Sequence, residues 1–110
     1  MSWQSQLQQV FGAGATQDAS TLIIDKADFA AVGLTADTSN TAEALLIAII
    51  LTAQSSLTEA NFETNLEQSI YVETGLPSFR TRNTTQYRTD SLAITLAKLD
   101  TAGQIDPDDY

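Results

Sequence analysis

Residues 68–99 read QSIYVETGLPSFRTRNTTQYRTDSLAITLAKL. Leu92, Ile94 and Leu96 alternate with Ala93, Thr95 and Ala97, and Ile70 and Val72 alternate with Tyr71 and Glu73. A period of two puts successive side chains on opposite faces of a strand. The strongest turn signal is RNTT, residues 82–85, because Asn tolerates positive φ. Folding back there sets 79–83 against 86–90 and brings Ile70 to Glu73 roughly opposite Leu92 to Leu96. Gly75 and Pro77 interrupt the first strand and predict a bulge or bend. The stretch therefore predicts one long hairpin. Its base is apolar and its distal half is polar and bears arginines.

Upstream the period changes. Trp3, Leu7, Val10 and Phe11 lie at i, i+4, i+7 and i+8, a helical stripe over residues 1–12 with Ser2 as its cap and the GAGA of 12–15 as its end. TLIID, 21–25, is a β-branched run and predicts a strand. KADFAAVGLT predicts a small helix with Asp28 as N-cap, Phe29 and Val32 as its buried side, and Gly33 as a left-handed stop before Leu34. In NTAEALLIAIILTAQ, 40–54, Asn40 and Glu43 have the form of a capping box. Beyond the cap nearly every residue is apolar, which predicts a helix buried on all sides. Residues 55–67 hold a second capping box, Ser56 to Glu59, and Phe62 and Leu66 four apart, but two Asn and two Thr weaken a helix. A short helix or a structured loop is expected there.

These segments predict an α+β fold. It is expected as one small domain, 1–110, with a central buried helix packed on a small antiparallel sheet that includes the long C-terminal hairpin. Its parts are the N-terminal helix (1–12), a strand, short helix and central helix (21–54), the hairpin (68–99) and an acidic tail (100–110). A chain of 110 residues suits one domain. Hydrophobic content of 43% excludes a disordered chain.

The composition also bounds the chemistry. With no Cys, disulfides, thiolate nucleophiles and Cys-ligated metals are excluded. With no His, triad catalysis and imidazole metal sites go as well. Carboxylates, tyrosines, two Lys, three Arg and hydroxyls remain. A non-enzyme with no catalytic residue, cofactor or metal is expected. The longest apolar run, ALLIAIIL at 44–51, is eight residues, where a bilayer needs about 20. The N-terminus lacks a basic region and a continuous apolar core. A cytoplasmic protein, or one built into a particle, is expected.

Charge is distributed unevenly. Net charge is −9, yet Arg80, Arg82 and Arg88, three of the five cations, fall within 78–90. With Asp90 that stretch carries +2, and the two cations and thirteen carboxylates left over carry −11. Such an acidic surface repels phosphate backbones and anionic lipid, so neither nucleic acid nor membrane is expected as a partner. Arg with Phe79 and Tyr87 interleaved is an alphabet for single-stranded nucleic acid, but the charge footprint is small. Arginine pairs bidentately with carboxylates. The simplest partner for a basic arm on an acidic chain is another copy of it, or another acidic protein. Two receptors on such a copy are the tail, with Asp106, Asp108 and Asp109, and the EANFETNLE face with Glu59, Glu63 and Glu67. The opposing reading keeps the arginines solvated or paired within the chain, with Asp90 or Glu73, guarding an exposed edge. The tail spacing matches no EF-hand loop.

The layout, a small acidic domain with a polar β-arm, is similar to that of many small virion and phage-tail-like particle proteins. The likeness is one of layout and not of motif. It implies a non-enzymatic structural or assembly protein that self-associates through its arm. The alternatives are a monomeric protein-binding adaptor and, further off, a carboxylate-dependent enzyme.

Overall fold

The computed structural model of the chain describes residues 3–99 and 103–110. The expected cap Ser2 and the start of the acidic tail, 100–102, lie outside the described residues. Helices and small antiparallel sheets make an α+β fold, as the sequence predicts. Two compact units make up the chain, Met1–Leu57 and Thr58–Tyr110.

The first unit begins with α1, Trp3–Phe11, whose end is fixed at Gly12 with φ 114°. A short hairpin follows, β1 Thr16–Gln17 paired with β2 Leu22–Ile23. The expected strand at 21–25 shortens to two residues, and its partner has no apolar alternation to announce it. A 3-10 helix spans Lys26–Val32. Asp25, rather than the expected Asp28, caps it by accepting from the Ala27 amide at 3.0 Å. Asp28 instead accepts from the Gly14 amide at 2.7 Å. This contact explains the GAGA segment. A Cβ on Gly12 would stand 2.8 Å from the Asp28 Cβ, and one on Gly14 3.0 Å from the Asp25 Cβ. The helix stops at Gly33 (φ 98°), where Leu34 donates to Phe29 and Gly33 to Ala30, the expected Schellman pattern.

Helix α2 spans Ala42–Gln54. Its cap is Thr41, which accepts from the Ala44 amide at 3.1 Å. Asn40, the expected cap, is occupied in the loop before it, donating to the Thr35 carbonyl and accepting from the Asp37 amide. Within its unit α2 packs on α1 and the 3-10 helix. Among the residues whose burial is described, Ala15, Phe29 and Ala48 are this unit's buried apolar residues. The helix is not buried on all sides: Leu46 is 57% exposed and Ile47 51%. The unit is too small to wrap a helix with no polar stripe, so part of its apolar circumference stays open.

In the second unit, α3 spans Glu59–Thr64 and is capped by Thr58, which accepts from the Asn61 amide at 3.0 Å. It packs on β3, Ile70–Thr74, with the Phe62 and Tyr71 rings 5.1 Å apart. Gln68 is buried and donates to the Thr58 and Ile70 carbonyls, both at 2.9 Å, so its amide ties α3 to β3. β3 pairs with β6, Leu92–Leu96, from Ile70 opposite Leu96 to Thr74 opposite Leu92. β4, Ser78–Arg82, pairs with β5, Thr85–Thr89.

The expected hairpin is therefore present as two ladders in series. Between them three residues, 75–77, face two, 90–91. That is a bulge at the Gly75 and Pro77 interruption, and it shifts the register by one. Gly75 donates to the Ser91 carbonyl at 2.8 Å, and a Cβ on Gly75 would collide with the Ser91 hydroxyl.

Candidate interaction surface

The distal ladder is set by a two-residue turn. Asn83 has φ 53° and Thr84 φ 68°, both in the left-handed region, as the right-handed twist of a tight hairpin demands. Arg82 and Thr85 close the turn, and the pairing runs out to Ser78 opposite Thr89. Those two hydroxyls hydrogen-bond at 2.7 Å. All five residues of β4 and four of the five in β5 are exposed, so this ladder is an arm with solvent on both faces.

Register sorts the arm's side chains. Arg80 stands opposite Tyr87, and Arg82 lies two residues along the same face. The Arg82 guanidinium is 5.0 Å from the Tyr87 ring centroid. Phe79 and Arg88 are paired on the other face. Arg88 donates through Nε to Asp90 Oδ1 at 3.1 Å, and both side chains are more than half exposed. Such a pair contributes about 0–1 kcal/mol. Arg80 and Arg82 have no ion pair among the described residues. The five expected arm residues thus divide into a basic–aromatic face (Arg80, Arg82, Tyr87) and a second face where Arg88 already has a carboxylate.

The tail residues are used differently. Asp109 Oδ2 accepts from Lys98 Nζ at 2.9 Å, and this pairing holds the Lys98 ammonium above its ordinary pKa. Asp106 accepts from the Asp108 amide at 3.0 Å and caps the 3-10 helix Pro107–Asp109. Asp108 lies exposed in that helix. Two of the three tail aspartates therefore serve the second unit's own structure.

One pairing had no local sequence signal. The pKa of the Glu59 carboxyl, at the start of α3, is raised by the Glu73 side chain of β3, through hydrogen bonding to that carboxyl and like-charge repulsion. Both side chains are exposed.

Apolar surface is also left open. In the first unit, a groove of about 200 Å³ is lined by Val32, Leu34, Ala44, Ile47 and Leu51. In the second, one of about 620 Å³ is lined by Phe62, Leu66, Ala97, Lys98 and Leu99. No cluster of three or more metal-ligating side chains occurs among the described residues. No helix among them is long and apolar enough to cross a membrane. No protein-family model matches the chain, and comparison with curated proteins and with solved structures found no match.

Proposed function

We propose that this chain is a non-enzymatic structural protein that associates with copies of itself, the hairpin arm of one copy lying on acidic surface of the next. The observation that carries this reading is the arm itself. A two-stranded ladder solvated on both faces is barely stable in water and gains from a surface to lie on. Its basic–aromatic face holds two guanidiniums without carboxylate partners among the described residues, on a chain whose remaining charge is −11.

Exposed apolar side chains support the same reading. Leu66, Leu76 and Leu99 are each more than 85% exposed, and Leu66 and Leu99 line one groove of the second unit. Contiguous exposed apolar surface is a mark of contact sites. A contact made by two different patches is heterologous and builds rings or filaments. The layout is similar to that of small particle proteins, an analogy of architecture alone.

The test is molar mass by light scattering at about 0.05 M and about 1 M salt, where charge interactions are weakly and then strongly screened. A defined oligomer at low salt that dissociates at high salt is expected. An oligomer indifferent to salt places the interface on the apolar grooves instead. A monomer at both strengths removes self-association and favours the adaptor reading.

A further inference from the structure

We infer that copies joined head to tail through their arms are also joined side by side through the open edge of β6, each β6 pairing antiparallel with the β6 of a second copy about Ile94. This rests on the self-association proposed above and adds a second, two-fold contact to it.

The backbone bonds show which side of β6 is open. Ala97 donates to the Ser69 carbonyl at 2.7 Å and Gly75 to the Ser91 carbonyl at 2.8 Å, at the two ends of the β3–β6 ladder. Bonded and non-bonded pairs alternate along an antiparallel ladder. Ala93 and Thr95 therefore turn their backbone groups to β3, and Leu92, Ile94 and Leu96 turn theirs away. Among the described residues β6 has no second strand beside it, and none of these outward N–H and C=O groups has a backbone partner. The outer edge of β3 differs, because the Ile70 carbonyl there accepts from the Gln68 side-chain amide at 2.9 Å. A row of unpaired strand groups is a template for another strand, and edges are ordinarily guarded by charge, proline or a bulge. The arm strands carry Arg80, Arg82 and Arg88, whereas LAITL of β6 has no such guard. Ile94 is 47% exposed and Leu96 37%.

One register suits a second copy of the same edge. Ile94 opposite Ile94 of the second copy sets Leu92 opposite its Leu96, and Leu96 opposite its Leu92. All three carry outward backbone groups, so each group finds a partner. Their side chains share one face, and an apolar row meets an apolar row across the edge. Two residues further on, Asp90 stands opposite Lys98 of the second copy, and by symmetry Lys98 opposite its Asp90. Asp90 is already held by Arg88 and Lys98 by Asp109, so the four charges alternate in sign at both ends of the contact. Sliding by two residues one way sets Arg88 opposite Lys98 and Asp90 opposite Leu96. Sliding by two the other way sets Lys98 opposite Leu92. Sliding by one swaps the faces and turns outward groups toward groups already bonded.

The edge contact is isologous and the arm contact heterologous. Two strands alone are barely stable in water, and the pairing turns two such ladders into one four-stranded sheet. By itself a five-residue edge holds weakly, because each copy carries −9 and like net charges oppose the approach. In a head-to-tail string the copies are already gathered, and many edges act together. Two strings then lie edge to edge, and the assembly has an even number of subunits.

Engineered cysteines read the register, because the chain has none of its own. Opposed Cα atoms at the axis lie about 5.5 Å apart, within disulfide reach. In the full chain at about 0.05 M salt, Ile94→Cys is expected to form a covalent dimer with copper phenanthroline as oxidant. Leu96→Cys alone would place its two thiols about 14 Å apart, and its dimer yield is expected to be at least about tenfold lower. Leu96→Cys refolded together with Leu92→Cys is expected to cross-link. Ile94→Lys sets two ammonium groups face to face at the axis. It is expected to cut the subunit number in sedimentation velocity to about half, with the arm-linked species retained. Equal cross-linking of the Ile94→Cys and Leu96→Cys chains, or an unchanged subunit number in Ile94→Lys, overturns the edge pairing and leaves the arm contact standing. If the reduced chains are monomers before oxidation, the arm reading fails and this inference fails with it.

Discussion

The Arg82 guanidinium sits over the Tyr87 ring, 5.0 Å from its centroid. The two lie on one face of the arm with Arg80. In solvent such a contact contributes about 0.5–1 kcal/mol. Tyr87→Ala and Arg82→Ala should therefore be non-additive by that amount in a double-mutant cycle. Amide hydrogen exchange at Arg80 and Thr89, which belong to hydrogen-bonded pairs of the ladder, reads the effect. Strict additivity would mean that the ring does not hold the guanidinium.

Thr84 is β-branched and has φ 68°. That conformation disfavours a branched L-residue and is open to glycine. Thr84→Gly should stabilise the arm by about 1 kcal/mol, seen as slower amide exchange at Arg82 and Thr85. The substitution turns Asn-Thr into Asn-Gly, the preferred pair for a two-residue turn of this kind. Faster exchange would show that the threonine side chain contributes a contact that outweighs its strain.

Glu59 has a raised pKa, caused by its hydrogen bond to Glu73 and then by the charge of that carboxylate. A raised folded-state value means that the favourable state is the protonated one. Its contribution is fully present below the ordinary glutamate value of 4.5 and is lost as pH rises through the raised value. At neutral pH the pair is a net repulsion. Glu59→Gln should therefore raise the melting temperature of the monomer at pH 7 and leave it nearly unchanged below 4.5. Melting curves of the dilute chain at about 0.05 M salt, where charge is weakly screened, check this. A lower melting temperature at pH 7 would contradict the repulsion.

Lys98 has its pKa raised, first by the hydrogen bond to Asp109. The stability this gives is present below the ordinary lysine value of 10.5 and lost as pH rises through the raised value. Lys98→Met should release the segment Pro107–Asp109 at neutral pH, while the native chain releases it only in strong alkali. The amide signals of Asp109 and Tyr110 in NMR spectra report the release. Unchanged signals in Lys98→Met would mean that the segment is held by other contacts.

Much of the fold is legible where the structure is local. The period of two in 92–96, the turn at Asn83 and the Gly75–Pro77 interruption together specify the hairpin and its bulge, because ladder register follows from pattern and turn. Helix α1 and the Gly33 stop are read from a stripe and a single glycine. Cap identity is less legible: Asn40 and Thr41 both suit the role, and Asn40 is drawn into the loop by Thr35 and Asp37. The exposure of Leu46 and Ile47 could not be read, because a uniformly apolar helix carries no mark of which face is covered. Arg80, Arg82 and Tyr87 were visible as a charged stretch, but only register separates them from Arg88 and Phe79. The contacts Glu59 to Glu73 and Lys98 to Asp109 join residues more than ten apart and leave no trace in local spacing.

The central claim, association through the arm, is tested most directly by removing the arm and keeping its base. Replacing residues 76–90 with Asn-Gly leaves Gly75 and Ser91 flanking a two-residue turn and retains the β3–β6 ladder. Sedimentation velocity at about 0.05 M salt, where charge is weakly screened, compares this variant with the native chain. The native chain should sediment as an oligomer and the shortened chain as a folded monomer. A native monomer, or an oligomer of unchanged subunit number without the arm, would contradict the account.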